Sequence, residues 1–170
     1  MNPRAEELAT RFEQVNQDLM AMISGGSDLS VTCPAEGWTA AAVGAHAGGA
    51  HLGILEGFIK PIIAGQDLSS AAGPSDEGNA KQAAENAALP RDQVLALLRD
   101  HGATAAAYLR GLNDEDLDRT TTLALFGPEP VTAQQVIEWV LIGHPRDHAN
   151  SLRQGLGHAE HERTVQGATA

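Results

Sequence analysis

The sequence has almost no cysteine. Cys33 is the one cysteine among 170 residues, which excludes an internal disulfide and a zinc or iron–sulfur site built from several thiolates. Any metal would therefore need other ligands. Unpaired thiols are typical of reducing compartments, so the count also favours a cytoplasmic protein. Cys33 lies beside Pro34 in a turn-rich segment, and we expect it to pack rather than to act as a nucleophile.

Positive charge and long apolar runs are scarce as well. Eleven Lys and Arg residues stand against 22 Asp and Glu residues, which gives a formal net charge of −11. A charge of this sign disfavours nucleic acid and anionic membrane surfaces as partners. The N-terminus lacks a basic start followed by an apolar region, and no apolar run reaches the roughly 18 residues that a membrane span needs. We therefore expect neither a signal peptide nor a membrane span, and a cytoplasmic location.

What the sequence does contain is helical periodicity. Apolar residues recur at spacings of three and four in four segments, whereas alternating strand-like patterns are short. The first segment opens on Asn2 and Pro3, a helix N-cap and first-position pair. The fourth opens on Thr132 and Gln135, which have the spacing of a capping box. The four segments run from Asn2 to Gly25, from Thr39 to a kink or end near Pro61, from Pro90 to Gly111, and from Thr132 to about Gly155.

Four amphipathic helices predict an all-α four-helix bundle. The connection between the second and third helices is long for a bundle and includes a loop over residues 65–78. An extended chain covers roughly 3.3 Å per residue, so this connection can cross the whole length of the bundle. We therefore predict a crossover there, with helices two and three parallel. Residues 1–156 are expected to form a single domain, and residues 157–170 a flexible tail.

Seven histidines, against one tyrosine and three phenylalanines, are the unusual feature of the composition. On a helix of 100° per residue, His144 and His148 lie about 40° apart and share a face with Ile137, Val140 and Leu141. Imidazoles in an apolar interior are costly unless their nitrogens are satisfied, and a divalent metal satisfies them. The His-x-x-x-His spacing is a known chelating geometry. Taken alone, the pair fits a metal site or ordinary hydrogen-bonded histidines equally well.

A third histidine, on the second helix, points to the same interior. His46 shares its face with the small residues Ala42, Ala50, Gly53 and Gly57. Such residues leave open space where a bundle core normally has Leu or Ile. A lone histidine of this kind is usually a core residue satisfied by hydrogen bonds, but three inward histidines on two facing helices favour a metal site.

The other histidines have simpler interpretations. His51 points about 140° away from His46, which suits the rim of a site better than a ligand position. His101 is expected to be a core histidine bonded to a carbonyl, and His158 and His161 are expected to be solvated. Whether His51 or Asp147 contributes to the site is left open by the sequence.

These residues resemble a known family. The chain resembles the DinB-like superfamily in four features taken together. These are Gly37-Trp38-Thr39, His46 eight residues beyond the tryptophan, a long crossover, and the late segment His144-Pro-Arg-Asp-His148. That superfamily is related to the metal-binding domain of mycothiol-dependent maleylpyruvate isomerase. The resemblance implies a four-helix bundle with a crossover, and zinc or nickel between helices two and four. It implies His46, His144 and His148 as the ligands, and pairing of the chain as a homodimer.

The resemblance also implies a chemistry. Characterised members act as thiol-dependent transferases or isomerases that use mycothiol or bacillithiol, so the expected partners are a low-molecular-weight thiol and a small electrophile. The isomerase branch has a carboxylate where His144 stands and a further C-terminal domain, so we do not expect isomerase activity. Two alternatives remain: a non-catalytic bundle that binds metal or a small ligand, and a metal-free interaction module.

Overall fold

The computed structural model describes residues 2–71 and 73–167, with side chains up to Gly157. Helices account for most of it. In chain order they are α1 (Pro3–Ser24), α2 (Ala40–Ile54), a π-helical turn (Leu55–Ile59), α3 (Lys60–Ile63), α4 (Asp76–Glu85), α5 (Arg91–Arg110), α6 (Asp114–Asp118), a 3₁₀ turn (Ala124–Phe126), α7 (Ala133–Val136), a second π-helical turn (Ile137–Ile142) and α8 (Gly143–Gly167). The first π-turn joins α2 to α3 and the second joins α7 to α8, so the bundle has four long helical segments.

The bundle contains the predicted crossover. Gly44 of α2 lies against Val94, and Gly48 lies against Leu97 and Leu98, so α2 and α5 run parallel. The connection that makes this possible carries α4 and packs along α2. The prediction of a four-helix bundle with a crossover between helices two and three is therefore confirmed.

Two short antiparallel hairpins precede the helices that carry the predicted ligands. β1 (Thr32–Cys33) pairs with β2 (Trp38–Thr39) immediately before α2, and β3 (Thr120–Thr121) pairs with β4 (Val131–Thr132) immediately before α7. The last residue of each hairpin caps the next helix, since the Thr39 hydroxyl accepts from the Ala42 N–H and Thr132 forms the predicted capping box with Gln135. The hairpins therefore fix where both helices begin.

The core is aliphatic and Ala-rich. The largest of its fully buried side chains is that of Phe12, and most of the others are Leu, Ile, Val and Ala. A Cβ at Gly48 would stand 3.0 Å from the Leu98 nitrogen. Because backbone cannot yield as a flexible side chain does, only glycine allows α2 and α5 to approach so closely there.

The structure corrects one predicted helix end and agrees with another. The second helical segment ends at Ile63, close to the predicted kink or end near Pro61. The first π-turn widens the helix just before the proline, since the Lys60 N–H donates to the Leu55 carbonyl, five residues back. The fourth segment does not end near Gly155, since α8 continues to Gly167. An interior glycine costs about 1 kcal/mol relative to alanine and need not stop a helix.

The remaining segments are close to expectation. Helix three begins after Pro90, its N-cap. Within residues 120–126 the chain is extended only in β3, which is followed by the 3₁₀ turn. The side chains of His158 and His161, and residues 168–170 of the predicted tail, lie outside the described part. Among the described residues, no helix combines the length and the hydropathy that a membrane span requires.

Candidate metal centre

Three histidines from two helices meet at one point. The Nε2 atom of His144 lies 3.1 Å from Nε2 of His46 and 3.1 Å from Nε2 of His148. His46 comes from α2, whereas the other two lie one turn apart on α8. The structure thus brings together the three residues that the sequence predicted as ligands.

Hydrogen bonds orient the outer two rings. His46 Nδ1 lies 3.0 Å from the Gln82 amide oxygen on α4, and His148 Nδ1 lies 2.8 Å from a Glu36 carboxylate oxygen. Both partner oxygens accept, so each Nδ1 carries the hydrogen. In a neutral imidazole the other nitrogen, Nε2, then presents a lone pair. The Glu36 carboxylate is held in turn by the Ser151 hydroxyl, which donates to its second oxygen.

These tautomers leave a conflict that a cation resolves. The lone pairs of His46 and His148 both face Nε2 of His144, and a single N–H there can be donated to only one of them. A metal ion accepts all three lone pairs at once. The 3.1 Å spacing suits nitrogens that each stand about 2.0–2.1 Å from one ion. The donor set therefore fits zinc or nickel, both of which bind imidazole.

Burial favours the neutral imidazoles that metals require. Desolvation lowers the pKa of His144 to about 3, and the neighbouring His148 and His46 add to the effect. Desolvation also lowers the pKa of His148, although the hydrogen bond that His148 donates to Glu36 opposes this shift. His144 Nδ1 is buried without a hydrogen-bond partner among the described residues, so His144 is the ligand candidate with no supporting group.

The centre opens onto a cavity of about 480 Å³. The cavity lies between α2 and the second π-turn, and residues of the crossover and of the 3₁₀ turn complete its wall. Its lining residues are His46, Gly49, Ala50, Gly53, Ile54, Phe58, Pro74, Asn79, Gln82, Leu125, Val140 and His144. Within the described part of the chain the cluster of potential metal ligands has three members. A fourth position would therefore be left for a molecule from this cavity.

The structure separates the other predicted residues from the centre. His51 is completely buried, and its Nε2 lies 2.9 Å from the side-chain oxygen of Asn16, so it lies in the core and not at the rim, the position that the sequence had left open for it. The reason is that the face of α2 opposite His46 meets α1 rather than solvent. Asp147 is exposed and makes no side-chain hydrogen bond with the described residues. His101 donates from Nδ1 to the Gly48 carbonyl over 2.9 Å, as expected.

Three supporting residues were not predicted from the sequence. Glu36 and Ser151 hold the His148 ring, and Gln82 holds the His46 ring. Glu36 lies in the turn of the first hairpin, 112 residues from its histidine partner. The one available signal was its position directly before the Gly37-Trp38-Thr39 motif.

Cys33 belongs to the core. It is fully buried, and burial raises the pKa of its thiol to about 11. A thiol in that state is a poor nucleophile at neutral pH, so the prediction that Cys33 packs holds.

Replacing Glu36 by glutamine is expected to weaken zinc binding about 10- to 100-fold, because the carboxylate fixes the tautomer and raises the basicity of His148. Competition against a chromophoric chelator measures the affinity. Glu77→Gln is the matched control, since Glu77 is an exposed residue of α4 and its loss changes the net charge equally. Equal zinc affinities of the two variants would contradict the supporting role of Glu36.

Comparisons with solved structures agree with this fold. The mycothiol-dependent maleylpyruvate isomerase aligns with a TM-score of 0.65 and 18% identity, and a point mutant of the same enzyme with 0.68 and 17%. Each alignment covers 87% of this chain and 60% of the isomerase, so the chain spans less than two thirds of that protein's length.

A second relative matches over nearly its whole length. YfiT from Bacillus subtilis, described as a probable metal-dependent hydrolase with an unusual four-helix bundle topology, aligns with a TM-score of 0.65 and 20% identity. The alignment covers 90% of this chain and 87% of YfiT. At these identities the likeness establishes the fold.

The sequence itself gives the family. No curated protein matches it significantly. The family model of the DinB superfamily, in contrast, matches residues 4–152, which include both hairpins and all three clustered histidines. The chain therefore belongs to the DinB superfamily.

Proposed function

We propose that this protein is a metal-dependent thiol S-transferase that joins a low-molecular-weight thiol, mycothiol or bacillithiol, to a small electrophile. The observation that carries the proposal is the convergence of the His46, His144 and His148 Nε2 atoms at the wall of a cavity. A purely structural zinc site normally closes its fourth position with a protein ligand, and the described residues supply three.

The three histidines would hold zinc or nickel as neutral ligands. A divalent ion with an open position supplies Lewis acidity, which lowers the pKa of a thiol bound there toward neutrality. Glu36 and Gln82 keep the His148 and His46 rings turned so that their Nε2 atoms face inward. The apolar walls of the cavity would limit the water around the reacting groups once a ligand is bound.

The chain's own cysteine does not compete for this role. Cys33 is buried in the core among α8 residues, with Gly155 beside its sulfur. The sulfur would therefore arrive on a small molecule. The protein would act in the cytoplasm, where such thiols remain reduced.

The test mixes zinc- or nickel-loaded protein with monochlorobimane and either mycothiol or bacillithiol. In the transfer a carbon–sulfur bond forms, the carbon–chlorine bond breaks, and chloride and the thiol proton are released. We expect the fluorescent conjugate to form faster than without protein, and His144→Ala to remove the acceleration. If neither thiol is consumed faster with protein than without it, the transferase proposal fails.

A non-catalytic binder of metal or a small ligand is the second candidate, because the cavity would serve binding equally well. It predicts stoichiometric metal and saturable ligand binding without turnover. The same assay therefore separates the two functions.

Pairing of two copies is also proposed. Trp139, which is half exposed, stacks edge-on against Phe126 at 5.4 Å, and Leu125 nearby is 56% exposed. Apolar groups of this size are typical of interfaces. Light scattering after gel filtration should give the mass of a homodimer, and a monomer mass would contradict the pairing.

A further inference from the structure

The lining of the cavity beside the three histidines carries no charge. Its polar members are His46, His144, Asn79 and Gln82, and the others are aliphatic, aromatic, glycine or proline. A volume of about 480 Å³ lies in the range of small-molecule sites, which is about 300–1,000 Å³. The cavity is therefore large enough for a ligand of two or three rings.

Without a metal ion, this lining disfavours anions. A carboxylate or phosphate that enters the cavity loses hydration, and among the described residues no Lys or Arg lines the wall to compensate. The formal net charge of −11 adds a repulsive field around the molecule. An uncharged ligand meets neither cost and gains from burial against Ile54, Phe58 and Val140.

The space exists because α2 has small residues on this face. Gly53 lines the cavity, and a Cβ there would meet no atom within 4 Å, so a larger side chain has room at this position. At Gly49 the nearest atom to a Cβ would be the Gln82 amide nitrogen at 3.8 Å. Gly57 was predicted to share this face, but it does not line the cavity.

We propose that this cavity binds an uncharged, largely apolar small molecule and that the absence of a side chain at Gly53 sets the size it accepts. The Gln82 amide N–H₂ group and the Asn79 amide supply hydrogen bonds to one or two neutral polar atoms of the ligand. This assignment rests on the proposed function only in identifying the molecule as the electrophile. The binding itself needs no metal.

The test uses a pair of fluorescent probes with one skeleton. N-phenyl-1-naphthylamine is uncharged, whereas 8-anilino-1-naphthalenesulfonate carries the same rings and a sulfonate. Both are titrated into the full chain, zinc-loaded and chelator-treated. We expect saturable binding of the uncharged probe in both forms, and binding of the chelator-treated protein to the sulfonate at least about tenfold weaker.

Two variants locate the binding. Gly53→Leu should weaken binding of the uncharged probe at least about tenfold, because a leucine side chain would take up space in the cavity. Gly57→Leu is the matched control, since a Cβ there also meets no atom and the residue lies outside the cavity. Circular dichroism and zinc content should be unchanged in both variants, which establishes that each is folded.

The outcomes are distinct from those of the metal proposal. Equal affinity for both probes, or full affinity in Gly53→Leu, would overturn the cavity assignment even if the protein holds one zinc per chain. The converse result is also possible. If the wild-type protein binds the uncharged probe, Gly53→Leu does not, and the protein takes up no zinc or nickel, this inference is supported and the proposed function fails.

Discussion

Replacing His144 by alanine is expected to abolish stoichiometric binding of zinc or nickel. The residue is the middle member of the cluster, since its Nε2 lies 3.1 Å from both other Nε2 atoms. Loss of a group that merely supports a ligand costs about 10- to 100-fold in affinity, so loss of a ligand from a set of three should cost more. Metal per chain, measured by plasma mass spectrometry after dialysis, should fall from about one to near zero.

His101→Ala provides the control for this change. It removes an imidazole of the same type from α5, where the side chain donates to the Gly48 carbonyl and lies outside the cluster. We expect this variant to keep its metal. Full metal content in His144→Ala, or an equal loss in His101→Ala, would contradict the assignment of the ligands.

The second large effect is a loss of stability in acid that is caused by His51. This residue is fully buried, and burial lowers its pKa to about 4 from the ordinary value of 6.5. In the unfolded chain His51 takes up a proton at a higher pH than in the folded chain, so the free energy of unfolding falls as pH falls. The contribution is fully present above about pH 6.5, is lost as pH falls to about 4, and amounts to about 3 kcal/mol.

Urea unfolding of metal-free protein between pH 7 and pH 4 measures this effect. His51→Gln is the matched variant, because the glutamine amide does not titrate and can still donate a hydrogen bond to Asn16. The difference in unfolding free energy between wild type and variant should shrink or reverse in acid by about 3 kcal/mol. A difference that does not change with pH would show that His51 is not the titrating group.

Helix periodicity explains how far the sequence could predict the site. His46, His144 and His148 were placed on inward faces by counting 100° per residue, and α2 and α8 are regular helices at those positions. The π-turn from Leu55 to Ile59 was not predicted, because a single sequence gives little warning of such a turn.

The placement of His51 depends on what covers α2. The sequence put His51 about 140° from His46 and left open whether it lines the rim. From Ala40 to Gly48, however, α2 is buried all round, because α1 and α5 cover its other faces. The Ala- and Gly-rich sequence of α2 is the signal that indicates such a central helix.

The supporting residues lay beyond prediction for a third reason. Glu36 lies in a hairpin turn and Gln82 in the connection between helices two and three, and both reach their histidines only through tertiary packing. No local pattern encodes a contact over 112 residues. Charged and amide side chains in loops are common, so their types alone carry no information about a site.

The most direct test of the metal centre is anomalous diffraction from crystals of zinc- or nickel-loaded protein, recorded at the absorption edge of the metal. We predict one strong anomalous peak between α2 and α8, about 2.0–2.1 Å from Nε2 of His46, His144 and His148. A loaded crystal whose peak lies away from these three nitrogens, or one with no peak between them, would contradict the account.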